Sequence, residues 1–368
     1  MKKEKISSIQ FGILVFMFSV GTSILITPAL LAAGAKQGAW IPAIIGILGG
    51  LLLVLLFTMI GTQIGQMEFF EYCEKILGHW LGKGIIILYS FYAFITASIL
   101  LWIQGNFMKI QIYKDTPVVF LQGIFALSIL FAINKGIQHV SRSVEIFFPW
   151  VVMLLLFMFL ALFPNYNTNN LLPVFDFKWK PALRSSLSLI SVVSSPLVLL
   201  LTIFSHVTDK KSAKKSYFIG SLLGGIVLLI ISLMTVAVLG AELTANQTYP
   251  TYIVAKKIRI GTFLTRIEVV LAIIWIFTIF YKTYLYFFAA IVGLAQVFNI
   301  KDYRTISTPL TFLLCVLSIN IYPNAAFMSK WNIDTWIPFS LTFGLFFPVM
   351  LIVVGLIKKK RSEAGNIT

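Results

Sequence analysis

Charged residues are scarce in this sequence. Of its 368 residues only 11% are charged, whereas 59% are hydrophobic and the mean hydropathy is +0.93. Soluble globular proteins average about 45–50% apolar and about 25% charged residues, and a single core in water cannot bury this apolar excess. The composition therefore excludes soluble enzymes, nucleic-acid-binding modules and secreted disulfide scaffolds. It predicts a polytopic membrane protein.

Residues that build disulfides and catalytic sites are also rare. Two cysteines cannot form a disulfide framework, and Cys73 in a polar segment is not expected to meet Cys315 in an apolar run. No HExxH, P-loop or GxSxG motif is present, and only Glu145, close to His139, hints at a catalytic pair. We therefore predict a non-enzymatic protein with no metal and no cofactor.

Ten apolar runs, numbered here as spans 1 to 10, separate short polar segments. A helix needs about 20 residues to cross the hydrocarbon core, and a spanning segment must be helical because lipid offers no partner for free backbone groups. The sequence thus predicts an all-α protein with ten transmembrane helices in a single integral-membrane domain, residues 1–368. The runs are 9–33, 39–65, 84–108, 117–134, 144–163, 185–206, 217–240, 268–297, 306–322 and 335–357, of which 306–322 is the weakest.

The placement of lysine and arginine predicts the orientation. With the N-terminus inside, the inner segments carry 17 of the 29 cations and the outer segments carry 11, while Lys282 lies within a span. An excess of cations marks the cytoplasmic side, so we expect both termini in the cytoplasm. The net charge of +16 comes from clusters between the runs, a pattern that suits anionic lipid headgroups better than nucleic acid. The first run covers about 25 residues, too long for a cleaved signal peptide.

Three connecting segments are longer than a tight turn. Residues 66–83 have apolar side chains at helical spacing, with glutamates between them, and predict an amphipathic helix on the cytoplasmic surface. The outer loop 164–184 contains three prolines, and the outer loop 241–267 is long enough to hold short helices.

Spans 1 and 6 both contain helix-breaking stretches at mid-membrane depth. Span 1 reads Ser19-Val20-Gly21-Thr22-Ser23 and then Pro28, and span 6 reads Ser191-Val192-Val193-Ser194-Ser195-Pro196. Glycine and proline weaken a helix interior, and freed backbone groups persist in a membrane only where protein or ligand satisfies them.

The two stretches also occupy corresponding places, because each lies in the first helix of a set of five spans. The sets cover about 9–163 and 185–357, and the odd number of crossings inverts the second set relative to the first. Paired interrupted helices in inverted halves indicate a transporter-type binding site, whose free helix N-termini suit a carboxylate. The alternative is that the small residues only allow close helix packing, which is how we interpret the pairs Gly46/Gly50 and Gly220/Gly224.

Lys282 is the one cation inside a span. It lies about 21 Å from either end of span 8, too far for its side chain to reach an interface, and an ionisable group at this depth is a functional candidate. A structural role, with the ammonium bound to backbone carbonyls, is the alternative. In span 3, Tyr89, Tyr92 and Thr96 form a stripe at helical spacing, which we interpret as packing or as a ligand contact.

With ten spans, inverted halves and interrupted spans 1 and 6, the chain resembles the amino acid–polyamine–organocation superfamily, which has a leucine-transporter-like fold. Within it, the sequence resembles the GerB-type spore germination permease family, the B subunits of bacterial spore germinant receptors. The stretches that carry the resemblance are Gly21-Thr22-Ser23-Ile24-Leu25 with Pro28, Ala33-Gly34 through Ala39-Trp40, Leu171-Leu172-Pro173, Tyr249-Pro250-Thr251 and Arg266-Ile267-Glu268.

The resemblance implies a receptor subunit in the spore inner membrane that senses a small nutrient, commonly an amino acid, beside an A subunit and a lipoprotein C subunit. It also implies a ligand site between the unwound parts of spans 1 and 6. Sodium-coupled relatives bind an ion beside spans 1 and 8, and from the depth of Lys282 in span 8 we hypothesise that it supplies a fixed positive charge instead. Two alternatives remain. One is an amino acid symporter that is coupled to protons or sodium and uses the same site, and the other is a purely structural platform for partner proteins. The implied site residues are Val20, Gly21, Thr22, Ser23, Val193, Ser194 and Ser195, and more weakly Tyr92, Thr96, Thr278 and Lys282.

Overall fold

The computed structural model describes residues 4–257 and 266–365, and within these ranges the chain forms helices and no named strand. The helices of the first half are α1 Ser8–Val20, α2 Ser23–Ala35, α3 Trp40–Ile64, α4 Phe69–Leu77, α5 His79–Gln111, α6 Val118–Lys135 and α7 Ile137–Leu162. Those of the second half are α8 Trp179–Leu189, α9 Leu201–Phe204, α10 Lys210–Leu239, α11 Ala241–Asn246, α12 Pro250–Lys257, α13 Glu268–Val297, α14 Ser307–Asn320, α15 Ala325–Asp334, α16 Trp336–Leu341 and α17 Phe347–Gly365.

The described helices do not confirm the exact number of predicted spans. By length and apolar composition, eight helices of the described residues can cross a membrane, and nine when the bent pair α1 and α2 is counted as one span. α14 has 14 residues, about 21 Å of helix, which is short for a hydrocarbon core of about 30 Å. Ten transmembrane helices are therefore not confirmed among the described residues, and span 9 is the predicted span that is not counted.

The centre of the bundle is built by α1, α5, α10 and α13. α1 packs against α10 and α13, and α13 packs along α5. The central position of α13 explains why most of its side chains are buried, Lys282 included. The predicted glycine pairs are confirmed as packing sites: Gly46 and Gly50 face Leu189 and Ser194, and Gly220 and Gly224 let α10 approach α1.

Contacts on one side of the bundle join the N-terminal segment to three distant elements. Ile6 forms a parallel bridge with Val207 after α9. The Glu4 carboxylate accepts hydrogen bonds from Arg304 Nη2 at 2.8 Å and from the backbone N–H of Gln138 at 3.1 Å. Because this side also carries the C-terminal helix, we call it the terminus face and the other side the opposite face.

The predicted amphipathic helix is present, but it is shorter than residues 66–83. α4 ends at Leu77 and is capped by Gly78, whose φ of +84° favours glycine, and α5 begins at His79. The apolar side of α4 packs on protein, with Phe69, Phe70 and Cys73 buried, where the sequence suggested a membrane surface. Cys73 and Cys315 are both free, as expected. α11 and α12 confirm short helices within 241–267, of which residues 258–265 lie outside the described ranges.

Candidate functional site

Span 1 is broken at the predicted place. α1 ends at Val20, Gly21 adopts φ +20° and ψ −127°, and α2 starts at Ser23 with a bend of 49° between the two helices. Because a φ in this range strains any residue with a Cβ, glycine is required at the corner. The Gly21 N–H still donates to the Met17 carbonyl at 2.9 Å. The Gly21 carbonyl lies 3.4 Å from the Thr278 hydroxyl of α13, which also lies 3.0 Å from the Ile274 and Trp275 carbonyls of its own helix.

The interruption of span 6 takes a different form, because the chain stays helical and changes its hydrogen-bond spacing. α8 continues as a π-helix over Ile190–Ser194 and then as a 3₁₀-helix over Ser195–Leu200 before α9 begins. Pro196 has no N–H, so it cannot bond the carbonyl of Val192 in α-helical register or that of Ser191 in π-helical register. Both carbonyls must find donors elsewhere.

Lys282 supplies one of these donors. Its ammonium donates to the Val192 carbonyl oxygen at 3.3 Å and lies 5.2 Å from the centre of the Phe18 ring. The side chain also crosses the corner of span 1, because a Cβ placed on Gly21 would overlap its Cδ. No salt bridge among the described residues involves Lys282. The ammonium is thus buried between both interruptions with a carbonyl and an aromatic ring as its neighbours.

A hydroxyl network supplies the other donor. Ser340 of α16 donates from Oγ to the Ser191 carbonyl oxygen at 2.7 Å, and Ser195 donates to the Ser340 carbonyl oxygen at 2.7 Å. The Tyr92 hydroxyl shares a hydrogen bond with Ser340 Oγ at 3.2 Å, and the Tyr92 ring stacks on Phe343 with 4.4 Å between ring centroids. Span 10 has its own π-helix here, Thr342–Phe346. This π-helix packs against the 3₁₀-helical segment of span 6, because a Cβ placed on Gly344 would overlap Ser195.

An aromatic path joins this network to Lys282. The Tyr286 ring of α13 lies 6.3 Å from the Tyr92 ring and 5.1 Å from the Phe18 ring, measured between centroids. Tyr286 is one helical turn from Lys282, on the same face of α13. Phe18 and Ser340 were not identified from the sequence, because a phenylalanine or a serine in an apolar run gives no signal of its own.

The structure brings some of the predicted site residues together and separates others. Gly21, Thr278 and Lys282 meet at the corner of span 1, and Ser195 and Tyr92 meet at Ser340. Val20, Thr22 and Ser23 are buried beside the corner, and Ser23 Oγ has no hydrogen-bond partner among the described residues.

Three other members face elsewhere. Val193 and Ser194 line a cavity of about 10 Å³ toward Gly46 of α3 and Gly225 of α10. Thr96 donates to the Tyr92 carbonyl of its own helix at 2.7 Å. Sequence spacing could not reveal these directions, since the π-helical turn rotates the residues after it relative to an α-helix.

A wider cavity opens on the opposite face. It has a volume of about 520 Å³ and lies where the end of α10 meets the loops after α2 and α7, with Gln37, Asn170 and Glu242 in its wall. This polar cavity is built by residues outside the predicted site.

Comparison with known proteins agrees with this architecture. The chain is 28% identical to Spore germination protein KB of Bacillus subtilis (strain 168) over 374 aligned residues, covering 100% of this chain and 98% of that protein. Among solved structures, MhsT in complex with L-phenylalanine has a TM-score of 0.71 at 14% identity, covering 97% of this chain and 99% of that chain.

Mhp1, a nucleobase-cation-symport-1 family transporter in a closed conformation with bromovinylhydantoin bound, has a TM-score of 0.66 at 10% identity, covering 93% and 78%. These likenesses establish a leucine-transporter-like fold. The family described as "Spore germination protein" matches residues 5–326. The chain therefore belongs to the spore germination protein family.

Proposed function

We propose that this protein is a nutrient-sensing B-type subunit of a spore germinant receptor and that it binds a small amino acid between the corner of span 1 and span 6. The observation that carries the proposal is the buried Lys282 ammonium beside Gly21, with no carboxylate partner among the described residues. A cation at this depth costs at least about 2.5 kcal/mol, and an anionic ligand group would offset that cost.

The chemistry of the corner favours a carboxylate as that anion. Charge-assisted hydrogen bonds are about twice as strong as neutral ones, so a ligand carboxylate would draw the Lys282 ammonium away from the Val192 carbonyl. The first turn of α2 adds free N–H groups and partial positive charge, and Ser23 Oγ is a buried hydroxyl without a partner in the described part of the chain. Small side chains at this corner suit a compact, partly apolar amino acid such as alanine or valine.

If the Lys282 ammonium exchanged the Val192 carbonyl for the ligand carboxylate, ligand binding would change how the helices of the bundle are held together. Without ligand, Lys282 links α13 to the carbonyl that Pro196 leaves free in span 6. With ligand, span 6 loses this donor, so the two states differ in how span 6 is held. A ligand shifts such an equilibrium only through its different affinity for the two states. We propose that the A subunit and the lipoprotein C subunit receive this change in the spore inner membrane, with both termini of this chain in the cytoplasm.

The test uses purified protein in liposomes with labelled alanine and valine. Saturable binding without gradient-driven uptake supports the sensor. Accumulation under a proton or sodium gradient would instead identify an amino acid symporter with the same site. A protein with neither binding nor uptake is the structural platform, and this result overturns the proposal.

The two roles open to Lys282 can be separated with Pro196. Lys282→Met keeps the length of the side chain and removes the ammonium, so it should abolish amino acid binding and also leave the Val192 carbonyl without its donor. Pro196→Ala returns an N–H to span 6 and should recover the lost stability in the double variant. If amino acid binding also returns in Lys282→Met/Pro196→Ala, Lys282 is only a structural donor and the proposed carboxylate contact is wrong.

A further inference from the structure

Pro28, like Pro196, leaves a carbonyl without its helical donor. In α2 the residue four positions before it is Ile24, whose carbonyl would otherwise accept the backbone N–H of residue 28. The Thr251 hydroxyl of α12 takes this place, donating to the Ile24 carbonyl oxygen at 2.8 Å, and both residues are buried. A helix from a connecting segment thus repairs the broken span at a defined atom.

Aromatic rings attach the same short helix to the other wall of the candidate site. Tyr249 and Tyr252, on either side of Thr251, pack edge-on against Phe107 of α5 with centroid distances of 5.3 and 5.1 Å. Phe107 also packs against Trp275 of α13 at 4.4 Å. Trp275 lies one turn before Thr278, whose hydroxyl faces the Gly21 carbonyl. α12 therefore covers the corner of span 1 from the opposite face.

We propose that Thr251 is a positioning residue whose hydroxyl replaces the missing Pro28 N–H and so holds α12 closed over the corner of span 1. The rings pack through apolar surface, which is not directional, whereas the hydroxyl bond fixes α12 at one atom of α2. Release of this bond would open the corner toward the opposite face. Only this consequence for ligand entry rests on the proposed function.

Hydrogen exchange measured by mass spectrometry tests the proposal without any ligand. Thr251→Val keeps the shape of the side chain and removes the donor, so amides of Pro250–Lys257 and of Ser23–Ala35 should exchange faster. Hydrogen bonds between membrane helices have measured energies that correspond to a change of roughly threefold to twentyfold. Thr251→Ser keeps the hydroxyl and should match the wild type.

Pro28→Ala provides the decisive background, because it returns an N–H to the Ile24 carbonyl. There, adding Thr251→Val should change exchange in these segments by less than about twofold. The comparison of Pro28→Ala with Pro28→Ala/Thr251→Val also tests the proposal if the single variant Thr251→Val accumulates poorly. Equal effects of Thr251→Val in both backgrounds, or no effect in either, would overturn the proposal.

Ligand entry gives a second readout in liposomes. In protein inserted with the opposite face outward, Thr251→Val should raise the association rate of labelled alanine several-fold, and Pro28→Ala should suppress the increase. A wild type that binds no amino acid contradicts the proposed function and leaves the exchange result intact. Faster exchange without faster association refutes the role of α12 in entry.

Discussion

Spans 1 and 6 contain similar residues and are interrupted in different ways. In span 1, Gly21 turns the backbone to a positive φ and the axis bends by 49°. In span 6, Ser194 and Ser195 precede Pro196 and the chain passes from π- to 3₁₀-helix within one continuous span, 179–204. Glycine can adopt a positive φ, so the helix of span 1 breaks there. Residues with a Cβ avoid that conformation, so span 6 stays helical and only the spacing of its hydrogen bonds changes.

The two prolines have the same effect on their surroundings. Each leaves the carbonyl four residues earlier without a helical donor, and in each case a side chain from another helix provides one. Thr251 serves Ile24 in span 1, and Lys282 serves Val192 in span 6. The span 1 donor is neutral and comes from a connecting segment, while the span 6 donor is a cation in the bundle centre. This difference suggests closure at the first and ligand response at the second.

The largest expected effect on amino acid binding is at the corner of span 1. Gly21→Leu should weaken amino acid binding more than about twentyfold, because a Cβ there overlaps Lys282 and the φ is unfavourable. Overpacking costs about 1–3 kcal/mol and local strain a similar amount, and about 1.4 kcal/mol is a factor of ten. Equilibrium binding in liposomes measures the change.

The matched control is Gly84→Leu, a glycine of α5 with no atom close to its missing Cβ. It should bind as the wild type does, and both proteins should reach the membrane in equal amounts. Unchanged binding by Gly21→Leu would contradict the candidate site.

A smaller effect is expected where span 6 meets span 10. Ser340→Ala removes the donor to the Ser191 carbonyl and the partner of Ser195, and an unsatisfied buried group costs about 1–3 kcal/mol. The free energy of unfolding in detergent should fall by about 1–2 kcal/mol. Ser128→Ala removes an exposed hydroxyl bonded only within its own helix and should have little effect. Equal stability of the two variants would show that the serines do not hold span 6.

The smallest effect is expected at Thr96. Its hydroxyl donates to the Tyr92 carbonyl of its own helix, so Thr96→Val should change binding by less than about twofold. The Thr278 hydroxyl also bonds carbonyls of its own helix, at 3.0 Å, but unlike Thr96 it faces the Gly21 carbonyl as well, at 3.4 Å. Thr278→Val should therefore weaken binding several-fold in the same assay. A larger loss of binding at Thr96 than at Thr278 would indicate that the ligand lies against span 3. It would contradict the assignment of the site to the corner of span 1.

Several features follow from local chemistry and were therefore predictable. Gly21 marks the corner because glycine tolerates its φ, and Lys282 marks the centre of span 8 because no other lysine or arginine lies within an apolar run. Span 9 was predicted from apolar composition, yet α14 is too short to be counted as a crossing. The interruption of span 6 was located correctly, but its form depends on donors from α13 and α16, which are distant in the sequence.

The amino-acid sequence alone determines that this chain enters a membrane and where its helices run. It also determines which atoms glycine and proline leave without helical partners, because each of these features depends on neighbours within about one turn. It does not determine which side chains then satisfy those atoms. That Thr251 reaches Ile24, that Lys282 reaches Val192, and that Val193 and Ser194 turn toward α3 are decided only by tertiary packing. A freed carbonyl in lipid must be satisfied within the protein, and the folded bundle selects the donor.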